Sequence, residues 1–256
     1  MYYNKDSYSI HFEKYGEGKK KIVILPGWGD TRSTFDSMIY ELKSKYTVYI
    51  MDYPGFGQSI FPDKDLTVYD YTNIIRDFLE SENIHNPIII AHSFGGRIAT
   101  LLTGYYKDKV DKLILIDSAG IKPRKNPYQI LKTYTYKFLK KLKIFLPKRK
   151  RSIYLKRLLH LFGSTDYKAL DQNMLKTFRN IVNLDLKYYF KNMDVKTLIL
   201  WGKKDKDTPV RDAYTIHKYI KNSKLYVFPD ATHFSYLNYP TMTHQLILNF
   251  IEKEST

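Results

Sequence analysis

Apolar residues along this chain come in two rhythms. Val48–Met51, Pro87–Ala91, Leu113–Ile116, Leu198–Trp201 and Leu225–Phe228 are short, nearly unbroken aliphatic runs. They are too short for helices and read as buried strands. Elsewhere apolar positions return every three or four residues. Ile74, Ile75, Phe78 and Leu79 predict a helix over roughly Val68–Asn83. A second helix is expected over Gly95–Tyr106, and a third, carrying Leu246, Ile247 and Phe250, over about Thr241–Glu252. Tyr8–Tyr15 and Lys21–Leu25 enclose Gly16-Glu17-Gly18 and read as a hairpin. Strands alternating with helices predict an α/β fold, with a mostly parallel central sheet, an antiparallel start and helices on both faces. Ligands of such sheets bind beyond the carboxyl ends of the strands.

Residues 121–194 interrupt the alternation. Ile130, Tyr134, Phe138 and Leu142 recur at helical spacing, as do Leu155, Leu158, Leu159 and Phe162, with Pro123, Pro127 and Pro147 as punctuation. The segment is expected to be a helical cap inserted over the strand ends. Residues 1–120 and 195–256 then form the core domain. Tyr134, Phe138 and Phe162 are candidates to line a substrate channel, although packing of the insertion accounts for such residues equally well.

The chain has 256 residues and no Cys, which excludes disulfides, a thiolate nucleophile and Cys-ligated metals. The stretch MYYNKDSYSI has no apolar signal region and no run is long enough to span a bilayer, so the expected location is cytoplasmic. Charge changes the picture more. The net charge is +16, from 42 Lys and Arg against 26 Asp and Glu. Residues 121–160 hold 14 of the basic residues and no acidic one, leaving 28 against 26 elsewhere. Such a patch suits an acidic carrier protein, or an anionic membrane surface met by Lys148-Arg149-Lys150-Arg151. A solvated face of a Lys-rich chain explains it too. Nucleic acid is disfavoured because no recognition motif accompanies the charge.

The most specific chemistry lies in Ile88-Ile89-Ile90-Ala91-His92-Ser93-Phe94-Gly95-Gly96. An apolar strand runs directly into a serine and then into small residues that open a helix. This is the layout of a nucleophile elbow. A serine hydroxyl is a weak nucleophile and needs a base, which in turn needs an orienting acid. Asp205 follows the strand ending at Trp201-Gly202, with Asp207 as a second candidate. His233 follows the strand ending at Phe228. His217 lies in a helical stretch, His244 opens the last helix, and His11 and His85 read as exposed. The backbone N–H groups of Phe94 and of Trp28, in Leu25-Pro26-Gly27-Trp28-Gly29, are candidate oxyanion donors.

With these motifs in order, the chain resembles the α/β-hydrolase family over nearly its whole length outside the insertion. Asp52-Tyr53-Pro54-Gly55-Phe56-Gly57-Gln58-Ser59 is similar to a turn of that family, and Ala231-Thr232-His233-Phe234 to its histidine motif. Pro26, Ala91 and Thr232 depart from the commonest residues at their positions. The resemblance implies a serine hydrolase acting on a small-molecule carboxylic ester or thioester, with Ser93, His233 and Asp205 as the triad and no metal or cofactor. Epoxide hydrolases and dehalogenases of the fold carry Asp at the elbow, and Ser93 argues against both. Hydrolysis of C–C bonds in dienoic diketones, and a non-catalytic binding role, remain alternatives. The PGWG loop and long insertion also resemble the carrier-protein methyl esterases of biotin synthesis.

Overall fold

The aliphatic runs become the inner strands of one sheet. In the computed structural model, which describes residues 1–5, 8–60, 64–123, 127–162 and 174–252, the strands are β1 (Tyr2–Lys5), β2 (Tyr8–Tyr15), β3 (Lys21–Leu25), β4 (Thr47–Met51), β5 (Ile88–His92), β6 (Lys112–Ile116), β7 (Thr197–Gly202) and β8 (Ser223–Phe228). Their spatial order is β1-β2-β4-β3-β5-β6-β7-β8. β2 pairs antiparallel with β1 and β4, and every other pairing is parallel. β4, β5 and β6 are buried along their whole length, so they carry no polar alternation. Leu25, Ala91, Leu115, Ile199 and Leu225 form one row across the sheet. The segments that follow β3, β5, β6, β7 and β8 therefore leave the sheet at one edge.

The expected hairpin of β2 and β3 does not form, because β4 lies between them. The apolar, buried β4 gains two partners this way. Gly18 serves a close crossing rather than a tight turn: a Cβ there would lie 2.0 Å from the Lys45 carbonyl oxygen. The short, polar β1 has no pattern by which it was anticipated.

Helices α1 (Asp36–Leu42), α2 (Val68–Ser81) and α3 (Phe94–Thr100) come first, followed by α4 (Pro127–Lys141), α5 (Lys148–Phe162) and α6 (Met174–Asn183). Further helices among the described residues are α7 (Lys187–Phe190), α8 (Val210–Tyr219), α9 (Ser235–Asn238) and α10 (Pro240–Glu252). On one face of the sheet, Ile22, Ile24, Ile50, Ile90 and Leu200 share a core with Met38 and Leu42 of α1 and Ile247 and Ile251 of α10. On the other, Phe78 of α2 meets Phe12 and Tyr49 edge-on at centroid distances of 4.9 and 6.2 Å. Each such side chain contributes roughly 1.5–3 kcal/mol through burial. Thr67 and Asp70 start α2 with reciprocal hydrogen bonds, a capping box. The expected helix through Tyr106 is α3 followed by one wider, π-type turn over Leu101–Tyr105.

The chain divides into two compact units, residues 1–121 with 184–256, and residues 122–183. Helical period alone placed residues 184–194 with the insertion, but they pack in the first unit. Buried Arg97 donates through Nη1 to the Leu184 carbonyl at 2.7 Å, and Leu186 N–H donates to Gly120 O at 2.8 Å. Burial lowers the Arg97 pKa to about 10. The second unit holds α4, α5 and α6. Among the described residues no helix is long and apolar enough to cross a membrane.

The start of α3 packs closely against β3. A Cβ on Gly95 would sit 2.1 Å from the Leu25 carbonyl oxygen, while Gly95 N–H donates to Pro26 O at 3.0 Å. Gly95→Val is expected to lose about 3 kcal/mol or more of stability, the upper range for overpacking. Urea unfolding checks this, and an unchanged midpoint would show that α3 can move away from β3.

Candidate active site

Ser93 stands between β5 and α3 at φ +46°, ψ −109°, a conformation that L-residues avoid. Backbone hydrogen bonds hold it there. Its N–H donates to Ile116 O at 3.1 Å, and its carbonyl accepts Gly96 N–H at 3.0 Å and Ala119 N–H at 2.9 Å. The side chain is thereby lifted from the buried end of β5 to a half-buried position.

Two other loops meet it. His233 Nε2 lies 3.0 Å from Ser93 Oγ, and His233 Nδ1 lies 2.8 Å from Asp205 Oδ2. Asp205 follows β7 and is buried with its acceptors filled. Oδ1 accepts the N–H groups of Asp207 and Thr208 at 2.8 and 2.9 Å, and Oδ2 also accepts the Thr208 hydroxyl at 2.6 Å. Asp207, the second candidate acid, thus supports Asp205 through its backbone, and its own side chain is exposed. Burial by itself would lower the His233 pKa. The hydrogen bond and charge of Asp205, with the charges of Asp117 and Asp207, outweigh burial and raise it above the ordinary imidazole value. Donor atoms of Asp205, Asp207 and His233 lie within 4.8 Å of one another, the spacing of a metal site. The hydrogen bonds above already occupy His233 Nδ1 and both Asp205 oxygens.

Trp28 and Phe94 are neighbours. Their rings meet edge-on at 5.3 Å, and Phe56 meets Trp28 at 4.8 Å. Phe56 belongs to the Asp52–Ser59 turn, which is closed by Gln58 N–H on Asp52 Oδ2 at 3.0 Å and Ser59 Oγ–H on Asp52 O at 2.7 Å. The aromatic contacts therefore fix the loop after β3 against the start of α3. Phe94 provides the first N–H of α3, a position with no intrahelical acceptor.

Four supporting residues were not anticipated from the sequence. His92 ends β5 fully buried. Its Nδ1 lies 2.6 Å from Asp30 Oδ2 and its Nε2 lies 2.9 Å from the His233 carbonyl oxygen. Both ring nitrogens thus face oxygen atoms, which tie the end of β5 to the loop after β3 and to the backbone of His233. Asp30 Oδ2 also accepts Gly27 N–H at 2.8 Å. A Cβ on Gly27 would fall 2.4 Å from that oxygen and 2.8 Å from His92 Nδ1. Asp117, at φ +44° after β6, accepts Gly202 N–H on Oδ1 at 2.7 Å and Ser235 N–H on Oδ2 at 2.9 Å. Burial pushes its pKa up to about 6, against the opposing effects of His92 and those N–H groups. Thr208 is the fourth. The available signal was a polar residue ending an aliphatic strand, as in Ile-Ile-Ala-His and Leu-Ile-Asp, since a buried polar group must find a partner. His11, expected to be exposed, is buried with Nδ1 3.0 Å from Asp52 Oδ2.

The remaining candidates lie in the second unit. Tyr134 and Phe138 are on α4 and exposed, and Phe162 ends α5, its side chain outside the described residues.

Known proteins are similar to this chain at low identity. The chain is 26% identical over 258 residues to a pimeloyl-[acyl-carrier protein] methyl ester esterase from Wigglesworthia glossinidia brevipalpis, covering 93% of this chain and 96% of that one. It is 28% identical over 288 residues to Epoxide hydrolase 4 of Homo sapiens, covering 96% of this chain and 76% of the relative. A solved α/β hydrolase, MGS-M2 from a deep-sea metagenome library, superposes with a TM-score of 0.77 at 17% identity, over 100% of this chain and 98% of that one. The family model for the alpha/beta hydrolase fold matches residues 20–240, and with strand order, elbow and spacing in agreement, the chain belongs to the alpha/beta hydrolase fold family.

Proposed function

We propose that this protein is a serine hydrolase that cleaves a carboxylic ester or thioester through an acyl-enzyme. The observation that carries the reading is the continuous chain Ser93 Oγ, His233, Asp205, at 3.0 and 2.8 Å. His233 takes the Ser93 proton as Oγ attacks the acyl carbon, and the Asp205 carboxylate holds the imidazole by Nδ1 and stabilises the imidazolium. The N–H groups of Phe94 and Trp28 stabilise the oxyanion, each such donor being worth about 2.7–4 kcal/mol. The imidazolium then protonates the leaving alcohol or thiol. Water, activated by the same His233, attacks the acyl carbon, releases the acid and restores Ser93.

The elbow residue bears on the choice of substrate. Opening of an epoxide by serine would leave an ether with no carbonyl for water to attack, whereas an ester or thioester leaves a hydrolysable acyl group. Ser93 therefore favours acyl substrates, in keeping with the methyl ester named for one of the relatives.

Hydrolysis of p-nitrophenyl esters is expected to peak at one acyl chain length and to fall by about 10⁴-fold or more in Ser93→Ala. Activity no greater than that of Ser93→Ala on every ester would overturn the reading. Neutral His233 is the base, and its pKa is raised. The acidic limb of kcat/KM is therefore expected above the free imidazole value of about 6.5, with activity lost below it. Asp205→Asn should lower kcat by about 10⁴-fold, and a limb at or below the free value would argue against the Asp205 contact. His92→Phe leaves Asp30 without its ring partner and is expected to cost about 3 kcal/mol in urea unfolding.

A further inference from the structure

We propose that the second unit, residues 122–183, docks on an anionic lipid surface. Within it, Leu131, Tyr134 and Phe138 of α4 fall at i, i+3 and i+7 and form one stripe, exposed by 65, 66 and 64%. The turn between α4 and α5 adds Ile144 and Phe145, exposed by 62 and 79%, and α5 adds Ile153 at 57%. Large apolar side chains gathered at this exposure mark an interaction surface.

The charge identifies the partner's chemistry. Residues 121–160, which carry every side chain of this surface, include 14 basic residues and no acidic one. Lys137, Lys141, Arg149 and Lys150 are exposed among the apolar positions. Aromatic and aliphatic tips mixed with Lys and Arg on short helices suit the headgroup boundary of a bilayer. There the tips enter the acyl region and the ammonium and guanidinium groups stay with lipid phosphates. An acidic protein would answer the charges, but would have to match apolar side chains spread over two helices and a turn. A lipid surface meets both demands without shape complementarity. The helix pair is also braced from within. Tyr154 OH donates to Leu139 O at 2.8 Å, and Arg151 donates through Nε to Leu146 O at 3.0 Å and through Nη2 to Ile144 O at 3.2 Å. The apolar turn is thus held in place before any contact. Tyr134 and Phe138, candidates for a substrate channel on sequence alone, are assigned here to the lipid contact.

The test is sedimentation of the Ser93→Ala protein, which leaves the lipids intact, with vesicles of phosphatidylglycerol and phosphatidylcholine or of phosphatidylcholine alone. Binding is expected only to the anionic vesicles, with weakening as salt rises from 0.05 to 0.5 M. Removing one basic group should weaken partitioning roughly fivefold, so Arg149→Gln with Lys150→Gln should weaken it about 25-fold. Phe138→Ser with Phe145→Ser should remove the binding that survives high salt, circular dichroism confirming that the helices persist. Absence of binding to anionic vesicles, equal binding to neutral ones, or capture of an acidic carrier protein without any vesicle binding would each overturn the proposal. Vesicle binding needs no turnover, so its failure and failure of the esterase reading are separate results.

Discussion

Everything at the candidate site depends on how closely α3 approaches the strands it follows. β5 is buried and apolar up to His92, and the next residue must leave the sheet and begin a helix at once. Ser93 does so at positive φ, at a strain of about 1–3 kcal/mol. Its neighbours supply the restraint: Ile116 and Ala119 bind its backbone, and Gly95 donates to the loop after β3. With a Cβ at position 95 that loop could not lie where it does. One steric condition therefore sets the serine and the Gly27–Asp30 loop relative to each other.

Buried polar links extend this condition to the other loops. Asp30 receives Gly27 N–H and meets His92, which holds the carbonyl of His233. Asp117 ties the end of β7 to the start of α9, directly after His233. The backbone around His233 is thus held from β3, β5 and β6, while Asp205 holds its ring. In low-dielectric surroundings such links are stable only when every partner is present. Asp117 shows the opposing effect, since its burial raises its pKa despite two N–H donors.

The second unit has a different character. Its helices carry basic and apolar residues on exposed positions, and its helix pair is held by side chains bonded to backbone carbonyls. The first unit has a sheet with both faces covered, which explains why its strands show so little polar residue and the insertion so much.

Local order in the sequence determined a good deal. Aliphatic runs specify buried strands because only full burial tolerates unbroken apolar residues. The placement of Ser93, Asp205 and His233 in the segments that follow β5, β7 and β8 is a matter of position along the chain, legible without knowing the sheet order. Tertiary structure alone decided which strands neighbour each other, so that β4 separates β2 from β3. It also decided that His92 meets Asp30, 62 residues away, and that residues 184–194 return to the first unit at Arg97. Helical period shows that a residue faces something, not what it faces, so Tyr134 and Phe138 carried no sign of their exposure. These outcomes rest on contacts between segments distant in sequence, whose geometry is set by packing and by the need of each buried polar group for a partner.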